Sequence, residues 1–164
     1  MLIKKRSLPV IVRGTVVDIE TTGLPEEGAE VITLGTVSGN QVTILQKTFE
    51  RDFLKITLAQ LAKMPRPFFA FNKAFEEAML GIHIDGELQV EAYEKKSRAI
   101  AVAQLHDPYN GYGIEVIDAW NRFRESQNLQ HLHEIMEHNE SDLLLETCLL
   151  VVRHSKPMRV MVAI

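Results

Sequence analysis

Apolar and polar residues follow two different rhythms along this chain, and the change between them divides it. From residue 10 to residue 49 the rhythm is that of strands: VIVRGTVVDIE (10–20), EVITLGTVS (30–38) and QVTILQKTF (41–49) are rich in β-branched residues. Gly39-Asn40 separates the last two runs and is a two-residue hairpin signal, so the three predict an antiparallel meander. Beyond residue 50, helical spacing alternates with short apolar runs. Residues 53–63 predict a helix stopped by Pro65 and Pro67, FFAF (68–71) a buried strand, and Asn72 to Leu80 a helix ended by Gly81. Leu88 to Val90 predicts a short strand, 97–106 a helix, and HDPYNGYG (106–113) a turn-rich loop. Two longer helices follow, roughly 114–126 and 129–152, the second with a break near Asn139, and Met158 to Ile164 reads as a last strand. The sum is an α/β domain, a mixed sheet with helices on both faces.

Composition narrows the setting. The 164 residues, 46% of them apolar, suit one domain (1–164) with a core of ordinary size. Cys148 is the single cysteine, so an internal disulfide and a zinc-thiolate cluster are both excluded, and a reducing, cytoplasmic location is expected. The N-terminal MLIKKRSLPVIVRG carries a basic patch, but its apolar part is broken by Pro9 and Arg13, a poor secretion signal. No run approaches membrane-spanning length, so no membrane partner is expected. A formal net charge of -4 argues against coating nucleic acid through bulk positive charge. It leaves a nuclease open, because an acidic site loaded with divalent metal becomes locally positive.

The candidate chemistry lies in the acids. In VVDIETTGL (16–24), Asp18 and Glu20 interrupt a strand that otherwise reads as buried. Carboxylates at i and i+2 of a strand share a face, about 6.6 Å apart at Cα, and can close on one cation. Burial without a partner would cost several kcal/mol. In FNKAFEEAML (71–80), Asn72 can cap the helix and set Glu76 in its second turn, near the end of the preceding strand. In HNESDLLLETCLL (138–150), Asp142 heads an apolar stretch, and His138, four residues earlier, shares its face on a continuous helix.

D-x-E-T-T-G after a strand, N-x-x-F-acid at a strand-to-helix junction and H-N-x-x-D near the C-terminus together resemble the three motifs of the DEDD 3'-5' exonucleases in the ribonuclease H-like superfamily. The resemblance spans residues 16 to about 152 with the motifs in order, and DIETTGL is the most specific of them. It implies a five-stranded mixed sheet, its first three strands antiparallel and its order 3-2-1-4-5. It further implies two divalent ions held by Asp18, Glu20, Glu76 and Asp142, with Asp18 bridging them. Thr21 and Thr22 would hold a terminal nucleotide, Leu24 would pack on its base, and Asn72 would fix the second motif. The chain departs from the family where Glu76 replaces the usual Asp, beside a competing Glu77. It departs again where His138 stands four before the last acid in place of Tyr, with Glu137 at the position five before. Members with YN-x-x-D or HN-x-x-D endings are the most similar.

The implied activity is metal-dependent 3'-5' exonuclease cleavage of single-stranded DNA or RNA ends. Hard oxygen ligands favour Mg²⁺ or Mn²⁺, a pair of ions can activate water and clamp the phosphate, and His138 could take the proton of the attacking water at neutral pH. Plainer alternatives stay open. Asp18 and Glu20 can form strand-end ion pairs with Arg13 or a lysine, Glu76 can be an exposed helix acid, and Asp142 can favour the positive end of a helix starting at Asn139 or Ser141. His131 and His133 read as solvent-facing and Trp120 as core. Tyr109 and Tyr112 can stack bases or simply sit in a turn; residues 4–6, Lys73, Lys95, Lys96 and Arg98 can line a phosphate path or be solvated surface. Two further function classes remain: a non-catalytic nucleic-acid-binding or scaffold module, and an endonuclease on the same fold.

Overall fold

The computed structural model describes residues 1–88, 106–109 and 113–154, with side chains described through Val151. Its strands are β1 (Leu2–Thr21), β2 (Val31–Gln46), β3 (Phe68–Ala70) and β4 (Gly86–Glu87). Its helices are α1 (Phe53–Leu61), α2 (Lys73–Leu80), α3 (Ile114–Ser126) and α4 (Gln130–His154), and a 3-10 turn covers Pro25–Glu27. Among the described residues the sheet is four-stranded, in the order β2-β1-β3-β4. β1 runs antiparallel to β2 and parallel to β3, and β3 parallel to β4. The mixed sheet predicted from sequence is present. Among the described residues it has four strands, because the second and third apolar runs form one continuous β2.

That strand folds back on itself. Lys47 N donates to Ile32 O at 2.8 Å and the Thr36 hydroxyl to Thr43 O at 3.4 Å, whereas 15 residues of straight strand would span about 50 Å. Gly39, at φ 58, supplies the reversal where the sequence signalled a hairpin. β1 curls round this tip. Residues 2–7 lie along 41–46, and residues 15–21 lie along 31–38, with register shifts between Ser7 and Val12 and between Val12 and Thr15. The N-terminal part of β1 was not visible in the sequence. Lys4, Lys5 and Arg6 break any apolar alternation there, as charged residues commonly do along a sheet edge.

Alternation along β1 then sorts side chains between two layers. Val17 and Ile19 join Phe53, Leu61, Phe68 and Leu80 in a core covered by α1 and α2. Val16 faces the other way, with Val37, Ile44 and, from α4, Met136, Leu143 and Leu150. Trp120 and Phe123 of α3 pack with Leu132 and Ile135 of α4 around Ile32. Each such side chain taken fully out of water contributes about 1.5–3 kcal/mol. Asp18 and Glu20 therefore point to the α4 side, on the same face as Val16.

The helices follow their sequence signals closely. Asn72 caps α2 by accepting from Phe75 N at 3.3 Å, and Gly81 ends it in the left-handed conformation. Glu76 falls in the first turn of α2 rather than the second. The expected break at Asn139 is absent: α4 continues through it, because the asparagine side chain is engaged by β1 and does not cap a helix. β4 pairs at Gly86–Glu87, just before the predicted strand 88–90, and Leu88 N extends the pairing to Ala70 O at 2.8 Å, while residues 89–90 lie outside the described residues. The predicted helix 97–106 lies outside the described residues except for His106, and the predicted strand 158–164 lies outside them entirely. No helix among the described residues is long and apolar enough to cross a membrane.

Candidate metal centre

Gly35 allows α4 to approach the sheet. It pairs with Asp18 across the β1–β2 ladder, and a Cβ at this position would overlap Asn139 Oδ1 and stand 2.5 Å from Leu143 Cδ1. With only hydrogen there, the middle of α4 lies directly over the Asp18–Glu20 pair. Asn139 Nδ2 donates to Asp18 Oδ2 at 2.6 Å and to Glu20 Oε1 at 3.3 Å. One amide thus joins the D-x-E stretch to the H-N-x-x-D stretch.

The neighbouring turn positions of α4 complete the cluster. His138 and Asp142, one helical turn apart, both face β1: His138 Nε2 lies 3.9 Å from Glu20 Oε1 and 3.9 Å from Asp142 Oδ2. A ligand atom from each of Glu20, His138 and Asp142 lies within 4.8 Å of the others, and all three residues are buried. Asp18 is buried beside them, 5% exposed. Glu137, five before Asp142, turns outward and approaches His106 at 3.8 Å. The phase of the helix therefore selects His138 and not Glu137 for the site.

The far side of the imidazole is held by Asp107, whose place before a proline signals only a turn in the sequence. Asp107 Oδ1 lies 2.8 Å from His138 Nδ1 and also accepts from Tyr109 N at 2.8 Å. Ser141 on α4 donates to His106 O, which ties the 106–109 segment to the same helix. An acid before proline is a turn signal, and this Asx turn was legible as a turn; its second use, on a histidine 31 residues away, was not. Burial alone would lower the pKa of His138, but the charge of Glu20, the Asp107 hydrogen bond and the charge of Asp142 together lift it to about 9. Without metal the ring is therefore a cation among carboxylates at neutral pH.

Other candidates separate clearly. Glu76 is buried, 3% exposed, so it is not an ordinary surface acid; it sits on α2 outside the Glu20–His138–Asp142 cluster. Its rival Glu77 is turned toward the end of α2, where it accepts from Ile84 N at 2.9 Å and meets His83 Nδ1 at 2.9 Å. Thr21 donates its hydroxyl to Gly23 O at 2.7 Å, and Thr22 brackets Glu30 through its own N–H and its hydroxyl. These bonds shape the TTGL turn, and they leave Leu24 49% exposed at its tip. Asn72 is exposed at the α2 cap.

Arg13, the sequence-level alternative partner of the Asp18–Glu20 pair, is exposed to solvent. Lys4 and Arg6 reach Glu140 on α4 at 2.6 and 3.2 Å, and Lys73 reaches Glu77 at 3.7 Å. Lys95, Lys96, Arg98 and Tyr112 lie outside the described residues. Tyr109 is buried with its ring 5.4 Å from that of His138, so it packs the site's inner wall and is not an open stacking platform; burial pushes its phenol pKa upward. His133 is exposed, His131 half-buried at 3.6 Å from Glu134, and Trp120 is core as expected.

The donor set fits a divalent cation. Carboxylates from two distant segments converge under burial, where like charges repel strongly, and a divalent cation would relieve that repulsion directly. No protein-family model matches the chain, and no curated protein sequence matches it significantly.

Proposed function

We propose that the protein is a metal-dependent nuclease that hydrolyses phosphodiester bonds at 3' ends of single-stranded nucleic acid, on a ribonuclease H-like fold. The observation that carries this reading is the Asn139 bridge to Asp18 and Glu20, which seats the third motif on the first across some 120 residues. With the arms of β2 counted apart, the ladder runs 41–46, 31–38, 15–21, 68–70, 86–87, an antiparallel trio followed by two parallel strands. That arrangement supports the fold expected from the resemblance.

In this reading Asp18, Glu20 and Asp142 would hold Mg²⁺ or Mn²⁺, and the buried Glu76 on α2 is the remaining acid of the set that the resemblance implies. When bound, such ions neutralise the phosphate and lower the pKa of water. The chain's own work is placement. Gly35 and Asn139 hold the two acidic segments at a fixed separation, and the Asn72 cap fixes the first turn of α2 and so the position of Glu76. The TTGL turn offers an exposed apolar tip, Leu24, four residues beyond Glu20 in the chain, suited to the face of a terminal base. His138 enters the chemistry through Nε2, the ring atom that faces Glu20 and Asp142.

The test is a panel of 5'-labelled single- and double-stranded DNA and RNA with Mg²⁺ or Mn²⁺. A ladder shortening from the 3' end is expected on single strands, with activity falling at least a thousandfold in Asp18→Ala and in Asp142→Ala. Cleavage of circular single strands would turn the assignment to an endonuclease. Activity equal in both variants and the parent would remove it from this site altogether.

A further inference from the structure

We propose that Glu20, His138 and Asp142 form a nitrogen-containing site that selects one first-row transition-metal ion of the Mn²⁺, Co²⁺ or Zn²⁺ class over Mg²⁺, with Asp107 as the positioning residue for its histidine ligand. Ligands on a common ion with bonds of about 2.0–2.2 Å stand about 3 to 4.4 Å apart. The two distances from His138 Nε2, 3.9 Å to Glu20 Oε1 and 3.9 Å to Asp142 Oδ2, fall within that span. The residues are already gathered, buried and mounted on β1 and α4.

The independent observation is on the other side of the ring. A histidine that ligates metal through one nitrogen regularly donates its other N–H to a carboxylate, which fixes the tautomer and aims the free lone pair. Asp107 does this here: it is buried, contacts Nδ1 at 2.8 Å, and is itself held by Tyr109 N. Nδ1 is thereby the donor, and Nε2 is the atom aimed at Glu20 and Asp142. Tyr109 packs against the ring at 5.4 Å and limits its rotation. A ring held this way lies within ligand distance of two acids, and an imidazole nitrogen binds first-row transition ions more readily than Mg²⁺, which prefers oxygen and its own waters. The sequence-derived role for His138, a base acting on water, would need Nε2 to stay off the ion.

The experiment uses the full chain stripped with EDTA and no nucleic acid, so its result is separate from the nuclease reading. Co²⁺ and Mg²⁺ are titrated by calorimetry, and Mn²⁺-loaded protein is read by pulsed EPR for coupling to histidine nitrogen. Co²⁺ is expected to bind at least tenfold more tightly than Mg²⁺. His138→Gln should weaken Co²⁺ at least tenfold while changing Mg²⁺ less than threefold, and Asp107→Asn should weaken Co²⁺ by about 10 to 100-fold. Absence of nitrogen coupling in the parent protein, or Co²⁺ affinity unchanged in His138→Gln, overturns the proposal. The EPR measurement needs no variant, so it decides even where a substitution prevents folding. Nitrogen coupling in a protein that cuts no nucleic acid would keep the metal site and reject the hydrolysis reading.

Discussion

Asn139 donates one amide nitrogen to two carboxylates that lie 121 and 119 residues away in the chain. Side chains that close such a distance set what the site is before any ligand arrives. Hydrogen bonds to charged groups contribute about 1.5–3 kcal/mol, and leaving buried charge without them costs comparably. Asn139→Ala should therefore lower stability by about 2 kcal/mol in EDTA, measured by urea denaturation, and Mn²⁺ should narrow the gap to the parent because the cation neutralises the same oxygens. Equal stability of variant and parent in EDTA would mean the bridge holds nothing. The acids themselves are legible from sequence, since charge is conspicuous in an apolar strand at Asp18 and Glu20 and at the head of an apolar helical stretch at Asp142. Asn139 and Asp107 are not legible as site residues, because asparagine in a helix and an acid before proline each have a sufficient local explanation as cap or turn.

At the scale of elements, the site depends on how closely α4 can lie on β1 and β2, and that distance is set by Gly35. Gly35→Ala places a methyl group against Asn139 Oδ1 and Leu143 Cδ1, so the helix must move out or the asparagine must leave its carboxylates. Overpacking of this kind costs about 1–3 kcal/mol. The expected outcome is a lower thermal midpoint together with loss of metal-induced stabilisation. A variant with parental metal affinity would show that the helix has room to spare. Element types were read well because their signals are local: the Asn72 cap, the Gly81 stop and the Gly39 reversal each appear where the sequence put them. What escaped was non-local. The strand over residues 2–7 exists through pairing with 41–46 and through Lys4 and Arg6 reaching Glu140, and neither leaves an apolar period behind. Likewise the break expected at Asn139 disappears because tertiary hydrogen bonds take the side chain that would have capped a new helix.

For the molecule as a whole, the cluster couples folding to pH, and the direction of the coupling depends on metal. In the metal-free protein His138 has a folded-state pKa raised from 6.5 to about 9 by Glu20, Asp107 and Asp142, against the opposing effect of burial. A raised pKa means the native state binds the proton more tightly than the unfolded chain does. The stabilisation is thus complete below about pH 6.5 and is lost as pH climbs through about 9; at 1.36 kcal/mol per pKa unit it amounts to about 3 kcal/mol at most. Metal reverses the sign, because a ligating Nε2 must give up its proton, so bound cation stabilises more as pH rises. Denaturation midpoints at pH 6, 7.5 and 9 should fall in EDTA, and the increment added by saturating Mn²⁺ should grow across the same series. His138→Gln should flatten both trends. If the parent and His138→Gln run parallel from pH 6.5 to 9 in EDTA, the imidazolium does not hold these carboxylates together, and the fold must tolerate their repulsion by some other means.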